Sequence, residues 1–259
     1  MATSFYIEYR LRGYSRKYED WVKKRAYDKA KELKVSPSNE QLPHITLYGP
    51  AITKNIGKVK SELVGTCEMY TKKYPLIPFS INGFSRFDNI NRKVIYLEVN
   101  PSRTLKQFRL ELSGNLRKKD KFIKEPLSVT KSIFDDKEHF EFHSTIIIFD
   151  YISKNKFDEL YDYLDLHCRQ NDYDHHRNQH EISLLSKLQH YLKKHVLQQK
   201  VEERSISQYL LRVTALGKSK KIMFEHDLIL HKTLNRWQAL NRYWWLKTIR
   251  QFRELLGQT

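Results

Sequence analysis

LPHITLYGP at residues 42–50 and FEFHSTIIIFD at residues 140–150 carry one pattern, His-x-Thr inside an apolar, β-branched run. Side chains alternate along a strand, so His44 and Thr46 share one face while Ile45 and Leu47 take the other. His143 and Thr145 share a face in the same way, opposite Phe142, Ser144 and Ile146. The alternation also puts Tyr48 beside His44 and Thr46, where its ring would offer a base a stacking surface. One such triplet is an accident of composition. Two, 99 residues apart, predict a duplicated fold that brings two imidazoles and two hydroxyls to one site.

Working outward, Ser4–Leu11 alternates as a strand and Ser15–Lys34 has helical spacing, stopped by Pro37. The first His-x-Thr strand runs from Pro43 to Tyr48 and is closed by Gly49-Pro50. Ile56–Tyr70 predicts a helix, Ile77–Phe84 and Lys93–Val99 a pair of strands, and Leu105–Leu116 another helix. Residues 117–138 form a charged stretch that suits a boundary or a loop. The second His-x-Thr strand, Phe140–Phe149, follows, and then a helix over Lys154–Cys168. Asn171–Gln179 is polar and predicts a loop. Ile182, Leu185, Leu188, Leu192 and Val196 space as an amphipathic helix. Tyr209–Leu216 and Lys221–Leu230 form a hairpin, and a terminal helix is expected from about Leu234 to Leu256. The whole is expected to be one bilobed domain over residues 1–259, with a helical insertion at about 171–205 and a C-terminal helix at about 234–256.

The chain has 259 residues, 40% hydrophobic and 30% charged, which describes a folded globular protein. Its net charge of +17 favours a polyanionic partner, and nucleic acid fits that description. Cys67 and Cys168 stand alone, which excludes a disulfide framework and a paired-cysteine zinc site and suits a reducing compartment. No signal-peptide pattern or membrane-length apolar run is present, so a cytoplasmic location without membrane attachment is expected.

Two imidazoles flanking a phosphorus atom supply a base and an acid, since an ordinary histidine titrates at about 6.5. The neutral ring takes a proton from the attacking water or hydroxyl, and the charged ring gives one to the departing oxygen. Thr46 and Thr145 would donate to the non-bridging oxygens, where negative charge gathers. The scheme uses no metal, nucleotide triphosphate or other cofactor. The residues leave open which histidine is acid and which is base.

LPHITLYGP and FHSTIIIF resemble the two motifs of the two-histidine phosphoesterases, the group that includes bacterial-type 2′,5′ RNA ligases and cyclic phosphodiesterases. The similarity spans residues 4 to about 233. It implies a mixed α/β (α+β) fold, bilobed, with two antiparallel sheets flanked by helices around a central cleft. It also implies cleavage of 2′,3′-cyclic phosphates or 2′,5′-linkages in RNA, with His44 and His143 as the acid–base pair and Thr46 and Thr145 as phosphate ligands. Family members often have an aliphatic residue where Ser144 stands; facing away from the cleft, Ser144 is expected to affect the chemistry little. The leading expectation is hydrolysis of 2′,3′-cyclic phosphate ends to 2′-phosphates. Hydrolysis or joining of 2′,5′-linkages uses the same groups, and a non-catalytic RNA-binding module is the reading from another class.

Two further features stand apart. The terminal segment interleaves Trp237, Tyr243, Trp244, Trp245 and Phe252 with Arg236, Arg242, Lys247, Arg250 and Arg253, which suits RNA contact, internal packing or self-association. His175, His176 and His180 in DYDHHRNQH lack a partner at metal-ligand spacing, and no metal is expected there.

Overall fold

In the computed structural model, residues 3–38, 42–89, 92–119, 140–185, 204, 206–217 and 220–257 are described, without the side chains of 117–119 and 178–185. Strand β1 (Thr3–Arg10) leads into helix α1 (Gly13–Glu32), strand β2 (His44–Thr53) and helix α2 (Ile56–Lys73). A hairpin of β3 (Phe79–Asn89) and β4 (Arg92–Pro101) precedes α3 (Arg103–Lys119), and β5 (His143–Phe149) precedes α4 (Lys154–His167) and α5 (Gln170–Leu185). Strands β6 (Arg212–Leu216), β7 (Ile222–Asp227) and β8 (Lys232–Asn235) lead to α6 (Arg236–Leu240) and α7 (Arg242–Leu255).

The strands form two antiparallel sheets, one ordered β2-β1-β6-β7-β8 and the other β3-β4-β5. This is the α+β architecture with two antiparallel sheets that the family resemblance implies. The N-terminal and C-terminal strands share a sheet, while the middle of the chain builds the other. A single cluster of buried residues runs through both, from Phe5 and Ile7 to Leu97, Ile147 and Phe157. Helix α1 enters that core with Tyr14, Tyr18, Val22, Ala26 and Ala30, spaced at one helical face. Beside that face a polar stripe, Ser15, Glu19 and Lys23, is buried as well. Such groups are buried only when partnered, and their partners define the site.

Both motif strands are sheet edges. Beyond each threonine the register slips by one residue: Glu8 pairs Thr46 while Ile7 pairs Tyr48, and Tyr96 pairs Thr145 while Ile95 pairs Ile147. An extra residue at such a bulge inverts the alternation that follows. Tyr48 is therefore not beside Thr46 and His44. It is 4% exposed and packs toward Phe5, with ring centroids 6.0 Å apart, so the expected base-stacking surface is not there.

Three other expectations need correction. β2 continues through Gly49-Pro50 to Thr53 rather than stopping there. Residues 171–179, expected as a loop, lie inside helix α5. That helix has little apolar periodicity: it is anchored by Tyr173 against Tyr14, Tyr18 and Trp21, and the Asp172 carboxyl accepts the Arg169 N–H at its start. The terminal helix is a short strand and two helices. Asn241 interrupts it, extended at φ −79° and ψ 127°, with its side chain accepting the Tyr243 N–H. The charged stretch beyond residue 119 and the amphipathic pattern beyond Leu185 lie outside the described residues.

Candidate active site

Each motif histidine is oriented by its own backbone. His44 Nδ1 lies 2.7 Å from the carbonyl oxygen of Leu42, and His143 Nδ1 lies 2.9 Å from that of Glu141. A carbonyl only accepts, so each Nδ1 carries its proton and each Nε2 is left to meet a ligand. The donor–acceptor offset, two residues back along the chain, is the same in both copies.

Ser144 joins the two strands. The His44 N–H donates to its hydroxyl oxygen at 3.2 Å, and the hydroxyl hydrogen is shared between the His44 carbonyl at 2.8 Å and Glu19 Oε2 at 2.6 Å. The backbone of one motif is thus bonded to the middle residue of the other. Edge strands leave N–H and C=O groups without a ladder, and here a side chain from the opposing edge satisfies both. Glu19 is held in turn by Lys23, Nζ to Oε1 2.9 Å, both side chains buried. Burial pushes the Glu19 carboxyl above its ordinary value, against the pull of Lys23 and Ser144.

The surroundings of the two rings differ. His44 Nε2 is 3.9 Å from Glu8 Oε2, and Glu8 also accepts from Arg10 Nε at 3.0 Å. Glu8 is the cross-strand partner of Thr46, so the carboxyl and the hydroxyl share a face. His143 is boxed by aromatic rings, with Tyr96 at 5.2 Å and Phe87 edge-on at 5.4 Å. Tyr96 is the partner of Thr145 and donates its hydroxyl to Glu141 Oε2 at 3.2 Å.

Burial pushes both imidazoles below the ordinary histidine value. For His44, Glu8 and the Leu42 carbonyl resist that shift, while Lys220 and Lys23 add to it. For His143, the Glu141 carbonyl and the Glu141 carboxylate resist, and a charge on His44 adds to it. A charge on His44 thus opposes a charge on His143.

His44, Thr46, His143 and Thr145 thus lie on facing edge strands, each half-buried. Tyr48 is excluded by its bulge. Glu8, Tyr96, Glu19 and Ser144 carry no local signal of a role; alternation in the neighbouring strands could have flagged Glu8 and Tyr96 only once the pairing was known. His176 packs near Trp21 at 6.0 Å, and the side chain of His180 lies outside the described residues. Among the described residues there is no cluster of three or more His, Cys, Asp or Glu able to hold a metal. Cys67 and Cys168 are buried free thiols. Among the described residues, no helix is long and apolar enough to cross a membrane.

The two antiparallel sheets are consistent with the fold of the two-histidine phosphoesterases, and each sheet carries one His-x-Thr strand at its edge. The chain belongs to the 2′-5′ RNA ligase superfamily: the model of that family matches residues 17–189, a span that contains both motifs. No curated protein sequence matches the chain. Among solved structures it is similar to Usb1 of Kluyveromyces marxianus. In the structure with uridine monophosphate the identity is 10%, the coverage 90% of this chain and 97% of that one, and the TM-score 0.40; without it the TM-score is 0.43 at the same identity and coverage.

Proposed function

We propose that the protein is an RNA phosphodiesterase that opens 2′,3′-cyclic phosphate ends to 2′-phosphates, with His44 and His143 as its acid–base pair. The observation that supports this reading is the direct bonding of one motif to the other through Ser144, between two strands whose histidines are each bonded at Nδ1 to the carbonyl two residues back. The net charge of +17 supports a nucleic-acid substrate.

The difference between the two surroundings distributes the roles. A negatively charged phosphate entering the cleft raises the proton affinity of both rings, and repulsion keeps only one charged. Glu8 favours the charge on His44, which becomes the acid. His143, among Phe87 and Tyr96, stays neutral and is the base. Water then attacks phosphorus and loses its proton to His143 Nε2. The new P–O bond forms as the P–O3′ bond breaks, and the proton on His44 Nε2 passes to O3′. Thr46 and Thr145 donate to the non-bridging oxygens throughout.

Replacing the attacking water by a ribose 5′-hydroxyl makes a 2′,5′-linkage with the same proton transfers, which is the reaction named by the superfamily. The test is incubation with 2′,3′-cyclic AMP and with 2′,5′-oligoadenylate in EDTA. Release of 2′-AMP from the cyclic substrate supports the reading. No turnover of either substrate, or turnover unchanged in both His44→Ala and His143→Ala, overturns it.

A further inference from the structure

The face of the five-stranded sheet that carries His44 and Thr46 does not end at β1. Directly opposed residues of antiparallel strands share a face, and the pairings Thr46–Glu8, Glu8–Thr214, Thr214–Glu225 and Glu225–Leu234 run across all five strands. Over β6–β8 that face is covered by the C-terminal helices. Leu234 clusters with Ala239 and Trp244, and buried Arg212 bonds Thr248 of α7 while pairing with Glu225 and Asp227. Trp245 is capped by Arg12 and Arg212, and Phe252 is fully buried. Internal packing therefore accounts for Trp244, Trp245 and Phe252. The helices cover this face from β6 onward, about 10 Å from β2 at two strand spacings.

Packing does not account for every ring of α6 and α7. Trp237 is 83% exposed and Tyr243 64%, with Leu240 and Leu246 also largely exposed. Around them Arg236, Arg242, Lys247 and Arg250 are exposed, and from Leu228 to Thr259 the sole acidic residue is Glu254. Tyr243, Leu246, Lys247 and Arg250 share one helical face. Exposed rings among cations of one sign are the elements of a single-strand platform, where rings stack on bases and cations follow phosphates. A second copy of this chain is a poorer fit, because a two-fold interface would set these cations against their own kind.

We propose that the exposed rings and cations of α6 and α7, Trp237 and Tyr243 foremost, bind the single-stranded RNA that leads away from a cleft-bound 3′ end. The proposal rests on the RNA reading above and assigns that substrate a second contact outside the chemistry. It predicts that the enzyme distinguishes an oligonucleotide from a mononucleotide.

The test compares the full-length protein with Trp237→Ala/Tyr243→Ala, using a labelled oligoadenylate ending in a 2′,3′-cyclic phosphate and free 2′,3′-cyclic AMP. The variant should lose oligonucleotide affinity about fivefold or more, with a matching rise in oligonucleotide KM, and keep turnover of cyclic AMP. Arg242→Ala should lower the salt slope of oligonucleotide binding by about 0.7. Unchanged oligonucleotide affinity overturns the proposal, as does an equal loss on both substrates. A dimer by light scattering that Trp237→Ala/Tyr243→Ala dissolves, with RNA affinity intact, assigns the face to a second copy instead. Binding to phosphatidylserine vesicles through these residues, without RNA binding, assigns it to a membrane surface. If neither substrate is turned over, the phosphodiesterase reading fails while direct RNA binding still decides the surface.

Discussion

On β2, the His44 ring meets the Glu8 carboxyl group, with the charges of Lys220 and Lys23 nearby. On β5, the His143 ring meets Phe87 and Tyr96, with the charge of Glu141 nearby. The backbones of the two strands are nearly interchangeable: Nδ1 bonded to the carbonyl two residues back, threonine two residues on, a bulge after the threonine. Duplication explains the shared frame, and the frame alone would give two equal imidazoles. The neighbouring strands make them unequal. General acid–base catalysis needs one ring charged and one neutral, and in the proposed reaction this inequality would divide the two roles.

Removing either ring gives the largest expected effect. His44→Ala and His143→Ala should each lower kcat about 10²- to 10⁴-fold on 2′,3′-cyclic AMP, and the double variant should lose little more. A double variant whose loss is the product of the single ones would show that the rings act separately. Next come the hydroxyls. Thr46→Val and Thr145→Val should each cost about 10²-fold in kcat with small changes in KM, because the donors meet charge that develops in the transition state. Loss confined to one threonine would break the symmetry claimed for the two frames.

Ser144→Ala addresses the joint between the strands. It leaves the His44 N–H and C=O and the Glu19 carboxyl without their common partner, and should cost about 1–3 kcal/mol in a denaturant titration. It should also lower kcat. A variant of wild-type stability and activity would separate the joint from both fold and function.

The smallest effect sharpens the comparison most. The acid must be charged, so activity falls as pH rises through its pKa; the base must be neutral, so activity falls as pH drops through its own. Glu8 raises the proton affinity of His44, and Glu8→Gln lowers it. The alkaline limb of the kcat profile should therefore move to lower pH while the acid limb stays. Movement of the acid limb alone would exchange the two roles. Burial lowers both rings in the free enzyme, so its optimum in kcat/KM should fall on the acidic side of the ordinary histidine range.

The placement of the four motif residues on two strands was legible because His-x-Thr repeats inside two apolar runs, and period-two alternation turns that into a shared face. The same alternation misplaced Tyr48, since a one-residue bulge leaves no mark in the sequence. Ser144 illustrates a different limit. Its orientation away from the cleft follows from alternation, but its bonds to His44 depend on two edge strands meeting. Glu19 and Lys23, at i and i+4 in α1, have the spacing of an ordinary surface pair; only the fold buries them. The first part of helix α5, residues 171–179, escaped because there an aromatic anchor, Tyr173, stands in place of the apolar stripe that periodicity detects. The terminal helix was over-extended because Asn241 acts as a cap within an otherwise helical run.

The most direct measurement is a crystal structure of the protein with inorganic sulfate in the cleft. The account predicts one anion within hydrogen-bond reach of Nε2 of His44, Nε2 of His143 and the hydroxyls of Thr46 and Thr145. Separate anions on the two motifs, with neither touching both imidazoles, would contradict it.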